Sequence, residues 1–210
     1  MTVQDMVYSF ILKSKALDRN NIVDLKTFDV LTYLNDAEDI VIDELISIGN
    51  YNAIQGIIDT TVILAAAFVT ATHDSVPSGG LAVDMSLISG YRNYVKSETN
   101  MTRTAVPVVA VAKNVMNIRI DMESIAMFET NGTNKPIFTN PKYFVEGDFL
   151  IVVPDAYSTV VSERISYVTE PTALTIGATS DLPAFLHERI VDTAVRISQE
   201  TVNVQDLKKQ

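Results

Sequence analysis

The sequence predicts an α+β fold: a helical bundle, made of N-terminal helices plus a C-terminal helix, with an inserted β-rich subdomain. Three observations predict it. Up to about residue 71, apolar residues recur at three- and four-residue steps. Beyond Tyr91 the period shortens to two, and turn formers separate the apolar runs. Helical spacing then returns between Leu182 and Val202. The helical core is accordingly assigned to residues 1–75 and 175–205, the β-rich part to 76–174, and 206–210 to a loose polar tail.

Val3–Leu17 reads as the first helix. Met6, Phe10, Lys13 and Leu17 follow helical steps, and Val7, Ile11 and Leu12 widen the apolar side. Asp18-Arg19-Asn20-Asn21 ends the pattern. A second helix is expected from Thr27 to Ile48, where Val30, Leu34, Ala37, Val41, Leu45 and Ile48 form one stripe. Thr27 is its expected N-cap and Gly49-Asn50 its stop. Asp36, Asp39, Asp43 and Glu44 fall on other faces, in water. A third helix is expected over Ala53–Ala71. Its second half is apolar nearly all round and needs cover from other helices or from neighbouring subunits. His73–Gly80, HDSVPSGG, breaks the chain.

The middle reads as strands. Val106–Ala112 is a continuous apolar run suited to a buried strand, and Asn117–Glu123 alternates apolar with charged residues. Phe144-Val145 and Phe149–Val153 flank Glu146-Gly147-Asp148 as a hairpin. Val160–Val168 gives a further strand, ended by Glu170-Pro171. In the last helix Leu182, Leu186, Ile190, Ala194, Ile197 and Thr201 share one face. Ser180 and Asp181 are candidate caps, and Pro183 sits in the first turn, where its missing N–H costs nothing.

Composition excludes several chemistries. The chain has no cysteine, so disulfides, thiolate zinc sites and cysteine nucleophiles are absent. Its net charge is −10 and its sixteen lysines and arginines are scattered, which argues against a protein that grips DNA phosphates. Met1–Asp5 lacks the basic start of a signal peptide, and the greasiest run, Thr61–Ala71, is about half the length a membrane span needs. There is no GxGxxG and no GxxxxGK[ST], and Gly79-Gly80 is followed by no lysine. His187-Glu188 opens like a metalloprotease helix, but Val191 occupies the second histidine position. His187 is therefore expected to be a partly exposed helix histidine bonded to a neighbour. No nucleophile elbow exists to serve His73. The acidic pairs Glu38-Asp39, Asp43-Glu44 and Asp121 with Glu123 read as solvated charges. No enzyme, cofactor or metal is expected; a structural assembly subunit is.

Three segments carry a resemblance. They are Phe28–Leu45 (FDVLTYLNDAEDIVIDEL), Arg164–Leu174 (RISYVTEPTAL) and Leu182–Ser198 (LPAFLHERIVDTAVRIS). The Leu34-Asn35 pair ahead of an acidic–apolar run, and the order I-x-Y-x-x-x-P, loop, L-P-x-x-L-H-x-x-I-V-D, are similar to head-to-tail connector (adaptor or ring) proteins of crAss-like tailed phages. The resemblance implies a virion protein of the neck, assembled in the host cytoplasm with no membrane partner. It implies a homo-oligomeric, dodecameric ring that meets the portal and the adjacent ring or tail proteins, with DNA passing through its lumen unbound. On that basis Leu34, Val41, Ile57, Leu64, Phe68, Leu186 and Ile190 are expected to lie at subunit contacts. Lys208 and Lys209 of the tail are expected to reach the portal. Another virion component, such as a tail-tube, stopper or head-decoration protein, is the alternative.

Overall fold

The computed structural model describes residues 1–17, 26–64, 81–105, 109–120 and 136–207. The chain divides into two compact units: Met1–Ile58 with Glu170–Gln210, and Asp59–Thr169. The fold is α+β, with helices in the first unit and two four-stranded sheets in the second.

In the helical unit, α1 spans Val3–Leu17, α2 spans Thr27–Ser47 and α3 spans Ala184–Leu207. Their stripes meet largely as the spacing predicts, except that Leu12 of α1 is exposed and Ile48 lies past the end of α2 in water. Met6, Val7 and Phe10 of α1, Val30, Leu34, Ala37, Val41 and Leu45 of α2, and Leu186, Ile190 and Ala194 of α3 are buried. Ile42, Val191 and Val195 widen the buried faces, and the ring of Phe10 stacks on Tyr33 at 6.2 Å. Full burial of side chains this size contributes about 1.5–3 kcal/mol each. Lys13 of α1 pairs with Asp192 of α3 at 2.6 Å at the edge of this core.

Several expectations change at the ends of elements. The N-cap of α2 is Lys26, in extended conformation and without a side-chain cap bond, and Thr27 is already helical. Ser180 and Asp181 cap no helix: Ser180 Oγ accepts from Leu182 N, and Asp181 Oδ2 accepts from Thr172 N. The expected tail is shortened, because α3 runs on to Leu207. The expected helix over Ala53–Ala71 is replaced by a 3-10 helix at Tyr51–Ile57 followed directly by strand β1, Ile58–Leu64; residues 65–71 lie outside the described residues. Thr60, Thr61, Val62 and Ile63 are β-branched, and a short apolar run of such residues suits an extended backbone better than a helix. The unit boundaries therefore fall at 58/59 and 169/170, against the expected 75/76 and 174/175.

The second unit holds β1 to β8: Ile58–Leu64, Leu81–Asp84, Tyr91–Ala105, Val109–Met116, Ile118–Arg119, Lys142–Glu146, Phe149–Val153 and Ser158–Thr169. One sheet has the order β1-β8-β3-β4, the other β2-β7-β6-β5. The hairpin between β6 and β7 is as expected. Glu146 faces Phe149, and Gly147, at φ 57, takes the left-handed position of the two-residue turn. Val83, Tyr143, Leu150 and Val152 of one sheet, with Met85 just past β2, pack on Ile165 and Tyr167 of the other. Ile151, Val153, Phe144 and Ala82 are buried on the opposite face of the second sheet. β7 is thus covered on both sides, which explains its unbroken apolar sequence. The run Val106–Ala112 falls partly outside the described residues; β4 starts at Val109 as an edge strand, and Ala112 on it is exposed.

Leu186→Asp should abolish soluble folding, because it places a charge in the centre of the three-helix core; a soluble helical chain with cooperative melting would reverse this assignment. Gly56 stands where any Cβ would collide with the backbone oxygen of Asp181. Gly56→Ala should therefore lower the melting temperature, whereas Gly90→Ala meets nothing but its own positive φ of 70°.

Candidate functional site

The residues expected at subunit contacts do not gather on one surface. Leu34, Val41, Ile57, Leu186 and Ile190 are buried inside their own chain. They form the core of the helical unit and have no surface left for a second copy. This corrects their assignment: an apolar stripe demands cover but does not specify whose. Among the described residues of the set, Leu64 alone is open, 63% exposed on β1, an edge strand of its sheet. Phe68, Lys208 and Lys209 lie outside the described residues, as do His73, Asp121 and Glu123.

Two of the three segments of the resemblance, Phe28–Leu45 and Leu182–Ser198, meet in the helical unit with the end of the third, Glu170–Leu174, whereas Arg164–Thr169 belongs to β8 of the other unit. The chain re-enters the helical unit at Glu170 and is fastened to α2 by side chains that α2 presents. Asn35 Oδ1 accepts from the Leu174 N–H at 2.7 Å, while Asn35 Nδ2 donates to Leu31 O at 2.8 Å. One turn on, buried Glu38 accepts from Ser180 Oγ at 2.9 Å. Farther along α2, Glu44 meets Arg189 of α3. Glu38 thus leaves the solvated class that its acidic neighbour suggested, since it stands in phase with Leu34, Ala37 and Val41 on the buried face. His187 is buried as well, not partly exposed. Its Nε2 lies 3.0 Å from Leu182 O, and no hydrogen-bond partner meets Nδ1 among the described residues. Asp36, Asp39 and Asp43 are exposed, as expected.

The outer surface of the helical unit keeps large apolar groups in water on all three helices: Tyr8 and Leu12 on α1, Phe28 on α2 and Phe185 on α3. Phe28 is 76% and Phe185 68% exposed, so neither contributes to the core of its own chain. Groups of this kind on a filled bundle are available for contact with another protein surface.

The β-rich unit contains a buried polar network that pattern reading missed. Glu163 of β8 lies fully buried opposite Thr99 of β3. Thr99 Oγ1 is 2.5 Å from Glu163 Oε2 and 2.6 Å from Asn117 Oδ1. Asn117 Nδ2 meets Glu163 Oε1 and also Ser97 Oγ, the latter at 2.6 Å, and Tyr94 Oη donates to Ser97 Oγ at 3.0 Å. Burial pushes the Glu163 carboxyl up from 4.5 to about 7, against the opposing pull of the bonds from Thr99, Ser97 and Asn117. The sequence does hold a signal for it. Glu163 is in step with Ile165 and Tyr167, so a period of two carries a carboxyl onto the inward face.

No group of three metal-ligating side chains occurs among the described residues, and no helix among them is long and apolar enough to cross a membrane. No known family model matches the chain, and no curated protein is similar enough to stand as its relative.

Asn35→Ala leaves the buried Leu174 N–H without its acceptor and should cost about 1–3 kcal/mol in denaturant unfolding. Asp36→Ala, one residue on but in water, should stay within about 0.5 kcal/mol. Equal effects would mean that the Asn35 bond does not fasten the returning chain.

Proposed function

We propose that this chain is a structural virion subunit, which builds an oligomeric ring joining portal to tail and lining the channel through which DNA leaves. The observation that carries the reading is that connector-like residues of α2, of the returning chain from Glu170 to Leu174 and of α3 meet in the helical unit. Residues quoted for the resemblance, Asn35, Glu38, Leu174, His187 and Ile190, are those whose contacts hold α2, the returning chain and α3 together. They belong to one helical module, which supports the reading.

Other features support assembly. Once Leu34, Val41, Leu186 and Ile190 have filled the subunit's own core, contacts between copies must draw on what remains outside it, and Tyr8, Leu12, Phe28 and Phe185 are among the large apolar groups exposed on the helices. A head-to-tail ring uses two different patches per subunit, a demand that three outward-facing apolar helix surfaces can meet. The charge of −10, with Asp36, Asp39 and Asp43 exposed along α2, suits a wall past which a like-charged duplex slides without being held. The chain then works by its surfaces, not by turnover.

Negative-stain imaging and mass measurement of the purified chain, alone and with the portal of the same virion, test this. Rings, either free or formed only on the portal, are expected. Phe28→Asp combined with Phe185→Asp should leave helix content and melting unchanged while weakening ring formation by about tenfold or more. Tubes would favour the tail-tube reading, and a compact monomer under every condition would overturn both.

A further inference from the structure

The network around Glu163 has a proton count that only one ionisation state satisfies. Four short polar contacts join Thr99, Ser97, Asn117 and Glu163: Thr99 to Asn117, Thr99 to Glu163, Asn117 to Ser97 and Asn117 to Glu163. Each needs one proton between its heavy atoms. With Asn117 Nδ2 facing Ser97 and Glu163, the amide supplies two protons and the Thr99 hydroxyl one. The remaining contact is filled only by a proton on the Glu163 carboxyl. Turning the amide over does not help. Nδ2 then faces Thr99 alone, the Ser97 and Thr99 hydroxyls supply one proton each, and Asn117 Oδ1 faces a carboxyl oxygen across a gap that again only Glu163 can fill. In both orientations an ionised Glu163 leaves two oxygen atoms in short contact with no hydrogen between them.

The position of Asn117 gives this count a consequence. It is the single residue between β4, in one sheet, and β5, in the other, so it marks the point where the chain crosses from sheet to sheet. The crossing has its own backbone bonds: Asn117 N to Ser97 O at 3.1 Å, Ile118 N to Pro141 O at 2.9 Å and Ile120 N to Tyr143 O at 2.8 Å. We infer that Glu163 is a proton-operated clasp on this crossing: as the neutral acid it binds Thr99 and Asn117 and closes the passage from β4 to β5, and as the carboxylate it loosens it.

Burial keeps the switch near neutrality, and a neighbouring charge adds to it. Glu98 of β3 bears the like charge that works against ionisation, and it is itself partnered at 4.0 Å by both Lys96 and Arg164. Tyr94 of β3 stays a neutral donor, since burial pushes its phenol far above its ordinary range. Tyr143 of β6 packs its ring 5.2 Å from that of Tyr94, and the facing group on the crossing itself is the uncharged Asn117 amide. No lysine or arginine pairs with Glu163 among the described residues.

A carboxyl that holds its proton more tightly folded than unfolded stabilises the fold fully below the unfolded value of 4.5, and that stabilisation is lost as the pH rises towards about 7. A shift of that size corresponds to a change on the order of a hundredfold in the opening equilibrium across the window. Hydrogen exchange on the full chain reads it directly. Protection of the Asn117, Ile118 and Ile120 amides, corrected for intrinsic exchange, should fall by about tenfold or more between about pH 6 and about pH 8. Glu163→Gln, whose side-chain amide supplies the missing proton at every pH, should hold protection level across that range. An equal fall in both proteins, or none in the wild type, overturns the clasp. Should the variant fail to fold, carbon NMR titration of the Glu163 carboxyl in the wild-type chain decides alone. A midpoint near neutrality supports the inference, and one in the ordinary range of about 4 overturns it.

Discussion

The fold depends on how the returning chain is held. The polypeptide leaves the helical unit after Ile58 and comes back only at Glu170, and closing so long an excursion carries an entropic cost that the arrival point must offset. A hydrophobic contact is non-directional and would not fix where the chain arrives. The bond from the Leu174 N–H to Asn35 Oδ1 does, because it pairs one backbone group with one side chain on a helix already fixed by its own core. Leu174 is itself buried, so an offset arrival would strand its N–H away from water. Glu38 with Ser180, and Asp181 with Thr172, then set the path of the loop, and the contact of Gly56 with Asp181 closes the 3-10 helix against it. The order of α3 follows, since Leu182 and His187 seat its start on the position that this loop has reached.

The β-rich unit solves a similar problem with a different device. Two sheets pressed face to face by Tyr143, Leu150, Val152, Ile165 and Tyr167 have many nearly equivalent apolar registers. A buried polar network distinguishes them, because each of its members is costly unless every partner is in place. Thr99, Ser97, Asn117 and Glu163 join β3, β8 and the β4–β5 crossing in one such set. Placing an acid there trades some stability at high pH for a defined crossing, and it makes that crossing responsive to protons.

What the sequence revealed depended on whether one physical signal had one reading. The long stripes of α1, α2 and α3 had one, and most of their residues are buried, although Leu12 and Ile48 stand in water. The run from Thr60 to Leu64 had two, since a short apolar stretch fits a buried helix and a strand equally by hydrophobicity; only its β-branched residues pointed to β1. The start of α2 was less legible because its N-cap is Lys26, which makes no side-chain cap bond. Glu163 was legible in principle from its phase with Ile165 and Tyr167, but its partners Ser97, Thr99 and Asn117 come from elements far away in sequence, and no local pattern joins them.

The misassigned contacts carry the same lesson to the candidate surface. Leu34, Val41, Leu186 and Ile190 looked like residues waiting for a sibling subunit because an apolar stripe records only that something must cover it. Within the chain α2 and α3 cover each other, so this requirement is met before any assembly begins. A subunit with a complete core can exist alone, and association then becomes a matter of what its filled bundle leaves outside. Phe28 shows the distinction: it stands one position off the Val30–Leu34 stripe on the first turn of α2, and its side chain remains in water. The residues that build the subunit and those that would join subunits are therefore separate sets on the same helices, and substitution can alter one without the other.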